Sequence, residues 1–188
     1  YQNFEFIKMY DPEYVVILSG DHIYQMNYRP MIEEARKKDA DLMICVRRVP
    51  WEETFRFGIM NTDEDLKITE FQEKPKEAKS NLASMGIYVF KWSVLKEALE
   101  KDHQNPESEN DFGHDVIPTL LEEQKRLYAY TFDGYWRDVG TVDSYYHANM
   151  DLLDTREDLD LTNEYLRVFS NNEHRDPHFV GENADVYN

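Results

Sequence analysis

The sequence has 188 residues, of which 41% are hydrophobic and 14% aromatic, and this composition excludes an intrinsically disordered chain. The net charge of -17 excludes nucleic acids and anionic membranes as expected partners. An anionic ligand would therefore need a local cation or a bound metal ion. No apolar run reaches the length of a membrane span. The single Cys45 cannot form an internal disulfide, which favours a reducing compartment, and we expect a cytoplasmic protein.

The first strong structural signal lies at residues 14–18, after a short amphipathic helix. Five consecutive apolar residues predict a strand that is buried on both faces of a largely parallel sheet. Gly20 ends this strand, so Asp21 lies at its carboxyl end, where open α/β sheets bind ligands. An Asp in this position often only caps a helix or forms a turn, and the pattern alone leaves both interpretations open. Because the sequence begins at Tyr1 rather than Met, we expect it to be part of a longer chain.

The following segments predict an α/β arrangement. Residues 28–38 have apolar positions at helical spacing, and the apolar run at 42–46 comes next, which predicts a strand–helix–strand unit with parallel strands. Residues 57–60 and 66–69 flank a polar turn and predict an antiparallel hairpin. The middle of the chain then ends with a predicted strand at 87–90.

The second half predicts further helices separated by one strand. Ser93 is a suitable N-cap for a helix, and Pro118 predicts a helix break near Ile117. A strand at 127–132 follows. Thr141 is expected to N-cap a last helix with one apolar face, which comprises Val142, Tyr145, Tyr146, Asn149, Leu152 and Leu153.

The C-terminal residues show a weaker pattern. Residues 155–175 indicate a linker, and two partial copies of a six-residue repeat follow. Such copies are typical of the start of a hexapeptide β-helix, although a tail that packs on the domain would give the same pattern.

Six sequence blocks, taken in order, resemble the bacterial glucose-1-phosphate adenylyltransferase family. The blocks are S-G-D-H-I-Y at 19–24, F-G-I-M at 57–60, E-K-P at 73–75, L-A-S-M-G-I-Y-V-F at 82–90, D-F-G-H-D at 111–115 and Y-W-R-D-V-G-T at 135–141. The resemblance implies a Rossmann-like nucleotidyltransferase fold of the GT-A type, with a mixed sheet that is incomplete at its N-terminal half. Residues 1–153 would form the C-terminal part of the catalytic domain. Residues 154–188 would form a linker and the entry to a left-handed β-helix.

The resemblance also implies an activity, namely transfer of AMP from ATP to glucose 1-phosphate, with Mg²⁺ as cofactor. The products would be pyrophosphate and ADP-glucose for glycogen- or starch-type glucan synthesis. In the family, the Gly-rich loop that holds the ATP triphosphate lies in the half that this sequence lacks, so we expect the isolated chain to be inactive. The family further implies an allosteric oligomer, either a homotetramer or a hetero-oligomer.

The family's functional residues map onto individual positions of this sequence. Asp21 and Asp138 match the metal-binding, catalytic aspartates. Four residues match contacts to the sugar phosphate, with Lys74 as the phosphate-binding cation and Glu73 as the acceptor of sugar hydroxyls, and the other two are Gly58 and Ser84. Trp136 is a further candidate for packing against the sugar. His22 and His114 stay unassigned, because no second His or Cys lies at metal-ligand spacing from either.

Two alternatives remain open from the sequence. The nucleotide could be UTP, dTTP or GTP, because nucleotide choice would be determined mostly in the missing half. A non-catalytic regulatory subunit that binds sugar phosphate is the other alternative. The presence of both Asp21 and Asp138 argues against it, since such a subunit has no chemical need for two carboxylates at strand ends.

Overall fold

The computed structural model describes residues 1–154 and Leu159. The helices are α1 (Phe4–Lys8), α2 (Arg29–Lys37), α3 (Trp92–Gln104), α4 (Ile117–Glu122) and α5 (Val142–Asp154). The strands are β1 (Tyr14–Ile17), β2 (His22–Tyr24), β3 (Leu42–Arg48), β4 (Gly58–Thr62), β5 (Ile68–Glu73), β6 (Leu82–Lys91), β7 (Leu127–Thr131) and β8 (Trp136–Asp138). A 3₁₀ helix (Trp51–Arg56) precedes β4, and a π-helical segment (Phe112–Val116) precedes α4.

A six-stranded mixed sheet forms the centre of the described chain. Its strand order is β5-β4-β6-β3-β7, and β1 also pairs with β6. Strands β3 and β7 are parallel, whereas β6 is antiparallel to β1, β3 and β4. The predicted α/β class with a mixed sheet is therefore confirmed. The predicted entry to a β-helix lies outside the described residues.

Strand β1 differs from the prediction of a doubly buried strand in a parallel sheet. All four of its residues are half-buried, and it pairs antiparallel with the C-terminal half of β6. Its apolar run arises because alternate residues pack on opposite sides of the sheet, with Val15 and Ile17 on one side and Tyr14 and Val16 on the other. Strands β1 and β3 are parallel as predicted, since each is antiparallel to β6, but β6 lies between them.

Two hydrophobic clusters cover opposite faces of the sheet. Leu42, Ile44 and Val46 of β3 contribute to the cluster that includes residues of α1, α3 and α4. Met43 and Cys45, which alternate with them, belong to the cluster that includes residues of α2. Helices on both faces therefore bury β3 almost completely.

The centre of β6 carries a bulge. Residues 85–87 lie opposite the single residue Cys45, because the register of β3 and β6 shifts at this point. Gly86, in the middle of the bulge, has a φ of +67°, a left-handed conformation that glycine adopts without steric cost.

The other edge of β6 is interrupted at the same place. On that edge β4 pairs with β6 at Ala83, and β1 pairs with it from Tyr88 onward. Between these two positions, residues 84–87 have no strand partner on that edge within residues 1–154. The gap between β4 and β1 leaves an opening in the sheet beside the bulge.

Several local predictions can be compared with the structure. The hairpin is formed by β4 and β5, as predicted. At Ile117 the helix is not interrupted but changes from the π-helical segment to α4, so Pro118 lies in the first turn of α4. Ser93 is not an N-cap, because α3 already begins at Trp92 and Lys91 holds the cap position. Thr141 does cap α5, since its Oγ1 accepts a hydrogen bond of 3.1 Å from the Ser144 N–H.

The predicted apolar face of α5 is largely uncovered by the described residues. Val142 is 87% exposed, and Tyr145, Tyr146 and Leu153 are also exposed. Instead, Ala148 is the residue of α5 that is fully buried. Among the helices of the described chain, none is long and apolar enough to cross a membrane.

Asp41 joins the starts of β3 and β7. Its buried carboxylate accepts hydrogen bonds from the Arg126 backbone N–H at 2.8 Å, from Nε at 3.2 Å and from Nη2 at 2.9 Å. Burial alone would raise the pKa of Asp41, but the hydrogen bonds and charge of Arg126 outweigh it and hold that pKa below its usual value. The ionised carboxylate therefore stabilises the parallel pairing of these two strands.

We predict that Asp41→Asn lowers the free energy of unfolding by about 1–3 kcal/mol at pH 7, because it removes charge-assisted hydrogen bonds to a partly exposed guanidinium. Asp39→Asn is the control, since Asp39 also contacts Arg126 but is exposed, and we expect a smaller loss. A group whose pKa is lowered by folding stabilises the protein above its unfolded pKa of about 3.9. The difference between wild type and Asp41→Asn should thus shrink as the pH falls below about 4, which urea titrations can measure. An unchanged difference at pH 3 would contradict this assignment.

Candidate active site

A cleft of about 340 Å³ opens where the edge of β6 is interrupted. Its walls come from the end of β1, the start of β4, the end of β5 and the bulge of β6, together with the residues around the π-helical segment. Three of the residues predicted to contact a sugar phosphate line this cleft, namely Gly58, Glu73 and Ser84. The structure therefore brings together residues from three different strands that the sequence had proposed for one ligand.

Two glycines make room for the carboxylate of Glu73. A Cβ atom added at Gly58 would lie 3.0 Å from Glu73 Oε2, and one added at Gly113 would lie closer still. The turn at Gly113 is fixed by Asp111, whose Oδ1 accepts hydrogen bonds from the backbone N–H groups of Gly113 and His114. Sequence reasoning missed Gly113 as a site residue, although the D-F-G-H-D block contained it. His114 itself is exposed and pairs with Asp115 rather than with the cleft.

Lys74 lies beside this cleft rather than among the residues that line it. Its side chain is 66% exposed, and Nζ lies 3.4 Å from Glu73 Oε1. The backbone of Lys74 has a φ of +43°, and its N–H donates to the Phe57 carbonyl, which connects the end of β5 to the residue before β4. The predicted phosphate-binding cation is therefore adjacent to the predicted sugar-binding carboxylate, and its side chain is mostly exposed to solvent.

The two predicted metal-binding aspartates meet across a small antiparallel ribbon formed by β2 and β8. His22 pairs with Asp138 in this ribbon, and His22 Nε2 lies 3.7 Å from Asp21 Oδ1 and 3.7 Å from Asp138 Oδ1. The two carboxylate oxygens are thus no farther apart than twice this distance. Because β2 begins at the residue after Asp21, the helix-cap interpretation of Asp21 is wrong. The Ser19 hydroxyl donates to Asp21 Oδ1 at 2.7 Å, and this hydrogen bond lowers the pKa of Asp21.

The His22 ring contacts both aspartates, and Trp136 fixes its orientation. The Trp136 Nε1–H donates to His22 Nδ1 at 3.4 Å, and the two rings are nearly perpendicular. An indole N–H can only donate, so in this arrangement Nδ1 is an acceptor, and a neutral His22 carries its proton on Nε2, facing both carboxylates. Sequence reasoning left His22 unassigned, because a histidine that contacts residues more than a hundred positions away gives no spacing signal.

Trp136 lies next to the first cleft without lining it. Its ring contacts Phe57, with ring centroids 5.6 Å apart, and it lines a neighbouring second cleft of about 400 Å³. Arg56 and Phe57 line both the first and the second cleft. Sequence reasoning also missed Arg56, which lies directly before the F-G-I-M block.

The two aspartates fit the ligand preferences of Mg²⁺. This ion is commonly held by one or two carboxylates, keeps several waters and takes further oxygens from substrate phosphates. Within the part of the chain that the structure describes, no group of three or more His, Cys, Asp or Glu side chains is arranged to hold a metal ion. Asp21 and Asp138 could hold Mg²⁺ as a pair, with water and phosphate oxygens completing its coordination.

The sequence family of the chain follows from comparison with known proteins. The model of the nucleotidyl transferase family matches residues 1–155. The chain belongs to this family. Its most similar relatives include proteins named glucose-1-phosphate adenylyltransferase from Bacillus cytotoxicus, at 56% identity over 186 residues, and from Bacillus anthracis, at 55% identity over 186 residues. The family resemblance drawn from the sequence blocks is thereby confirmed.

These alignments cover 99% of this nucleotidyl transferase chain and 50% of each relative. The chain thus spans about half the length of the curated relatives it matches. A protein of the relatives' length that contains this chain is called the full-length protein below.

We predict that Asp21 is a ligand of Mg²⁺ and that Asp21→Asn in the full-length protein, which keeps the size of the side chain, lowers the kcat of nucleotidyl transfer at least about a hundredfold. Asp21 is 66% exposed, so the melting temperature should change little. Mn²⁺ binding, measured by electron paramagnetic resonance, should weaken in parallel. Asp143→Asn, which removes an exposed carboxylate in the first turn of α5, is the control and should leave Mn²⁺ binding unchanged. Full activity of Asp21→Asn would show that Asp21 only stabilises its own turn.

Proposed function

We propose that the full-length protein transfers AMP from ATP to the phosphate of glucose 1-phosphate and releases pyrophosphate. The observation that carries this proposal is the position of Asp21 and Asp138, which lie 3.7 Å from the same nitrogen of His22, a residue that also lines the cleft. Gly58, Glu73 and Ser84 line the same cleft. A carboxylate pair next to a polar cleft is the arrangement that a metal-assisted reaction between two phosphates requires.

The proposed reaction needs no nucleophile from the protein. A phosphate oxygen of glucose 1-phosphate attacks the α-phosphorus of ATP, a new P–O bond forms, and the bond between the α-phosphorus and the bridging oxygen to the β-phosphorus breaks as pyrophosphate leaves. A bound Mg²⁺ would neutralise negative charge on the phosphates. The residues of the chain hold the sugar phosphate in line with the nucleotide, and such positioning can supply roughly 7–11 kcal/mol of the barrier reduction.

We assign separate roles to Glu73 and Ser84 in the cleft and to Lys74 at its rim. Glu73, held between Gly58 and Gly113, accepts hydrogen bonds from sugar hydroxyls. Ser84 lies in the wall formed by β6 and contributes its hydroxyl group. Lys74 reaches from the rim to the phosphate, because its ammonium group is exposed and, among the described residues, forms a salt bridge only with the Glu73 carboxylate.

The remaining parts of the proposal concern the full-length protein. We place the loop that holds the ATP triphosphate in the half of the relatives' length that this chain does not span, with residues 1–153 as catalytic domain and 154–188 as linker and β-helix entry. We further propose a cytoplasmic oligomer. ATP, UTP, dTTP and GTP can be compared as substrates in a pyrophosphate-release assay of the full-length protein. Exclusive turnover of UTP, dTTP or GTP would overturn the choice of ATP.

We predict that Lys74→Gln in the full-length protein raises the KM for glucose 1-phosphate about ten- to a hundredfold, because one charge-assisted contact to phosphate is lost. The KM for ATP should change far less. Lys76→Gln removes a neighbouring exposed ammonium group and is the matched control, with both KM values unchanged. An equal rise of both KM values in Lys74→Gln would show that Lys74 is not the ligand of the sugar phosphate.

A further inference from the structure

The first cleft contains one cationic side chain that the proposed function has not used. Among the described residues that line the cleft, Arg56 is the only Lys or Arg, whereas Glu73 and Asp111 both contribute carboxylates. A doubly charged phosphate group would therefore meet two acidic side chains and one guanidinium. In a chain with a net charge of -17, this guanidinium is thus the candidate partner of an anion inside the cleft, in addition to Lys74 at its rim.

Arg56 is held at the cleft by its place in the chain. It is the last residue of the 3₁₀ helix, two positions before the start of β4 at Gly58, and its guanidinium carbon lies 5.2 Å from the centre of the Phe57 ring. Nη2 donates to Asp138 Oδ2 at 2.8 Å, and Nη1 lies 3.6 Å from Glu53 Oε2. The side chain is 30% exposed, so it is accessible to a ligand in the cleft.

The two oxygens of the Asp138 carboxylate have different neighbours. Oδ2 accepts from Arg56, whereas Oδ1 faces His22 on the side of Asp21. A divalent cation at Oδ1 would be repelled by a guanidinium held at Oδ2 of the same carboxylate. Phosphate, in contrast, matches the planar donor geometry of a guanidinium at least as well as a carboxylate does.

We propose that Arg56 binds the phosphate group of the sugar phosphate, and that Asp138 is its partner only until this anion occupies the cleft. This inference rests on the proposed function, because it assigns a ligand to the same cleft. The exchange moves the guanidinium from the metal carboxylate to the substrate. This exchange favours binding of both ligands. Asp138 becomes available to a cation, and the phosphate gains a charged hydrogen-bond donor.

The proposal predicts effects of opposite sign on two ligands when Arg56→Gln is introduced into the full-length protein. Binding of glucose 1-phosphate, measured by calorimetry without nucleotide, should weaken about ten- to a hundredfold. Binding of Mn²⁺ without any substrate, measured by electron paramagnetic resonance, should instead tighten about three- to tenfold, because the repulsion at Asp138 is removed. Loss of folding alone would weaken both, so tighter Mn²⁺ binding cannot come from a structural defect.

Two further variants complete the test. Arg56→Lys keeps the charge without the bidentate geometry, so it should recover part of the glucose 1-phosphate affinity. Arg48→Gln is the matched control, because it removes a guanidinium that lines the second cleft but not the first and bonds to Asn81. Equal glucose 1-phosphate binding by wild type and Arg56→Gln, or weaker Mn²⁺ binding by Arg56→Gln, would overturn this inference alone. Failure of the wild-type protein to bind glucose 1-phosphate would overturn the proposed function and this inference with it.

Discussion

The pairing of β6 is the constraint on which the candidate site depends. This strand is shared by β3 along one edge and by β4 and β1 along the other, and it holds a bulge at Gly86 where neither β4 nor β1 reaches. A Cβ atom at Gly86 would lie 3.4 Å from both the Ser19 side chain and the His22 ring, so the bulge also brings β6 against the loop that carries Asp21. Within residues 1–154, the cleft thus lies where one edge of β6 has no strand partner at its bulge.

The positions of the two aspartates depend on contacts between residues that are distant in the sequence. The β2–β8 ribbon places residues 22–24 against 136–138, and the Trp136 indole fixes the His22 ring between the two aspartates. Two carboxylates at such a separation repel each other, and in the structure Arg56 and the Gly140 N–H offset part of the charge on Asp138. The Ser19 hydroxyl does the same for Asp21. Local hydrogen bonds from Ser19, Arg56 and Gly140 therefore hold the two carboxylates in place.

The distribution of charge in this acidic chain leaves two cations at the candidate site, Arg56 and Lys74. Most cations in the described residues are paired within surface ion pairs, which contribute little to stability when exposed. Arg56 and Lys74 differ, because their carboxylate partners, Asp138 and Glu73, belong to the candidate site. The two cations of the candidate site are consequently held by carboxylates of the same site.

The sequence by itself determined the α/β class, the hairpin and the family, because these depend on local periodicity and on contiguous blocks of residues. It also singled out Gly58, Glu73 and Ser84, which the structure places in one cleft. Only the tertiary structure decided that β6 separates β1 from β3, since an apolar run does not specify its neighbours. It alone revealed the contacts of Arg56 and His22, because their partners lie far from them in the sequence. It also showed why position 113 is a glycine, since a Cβ atom there would overlap the Glu73 carboxylate.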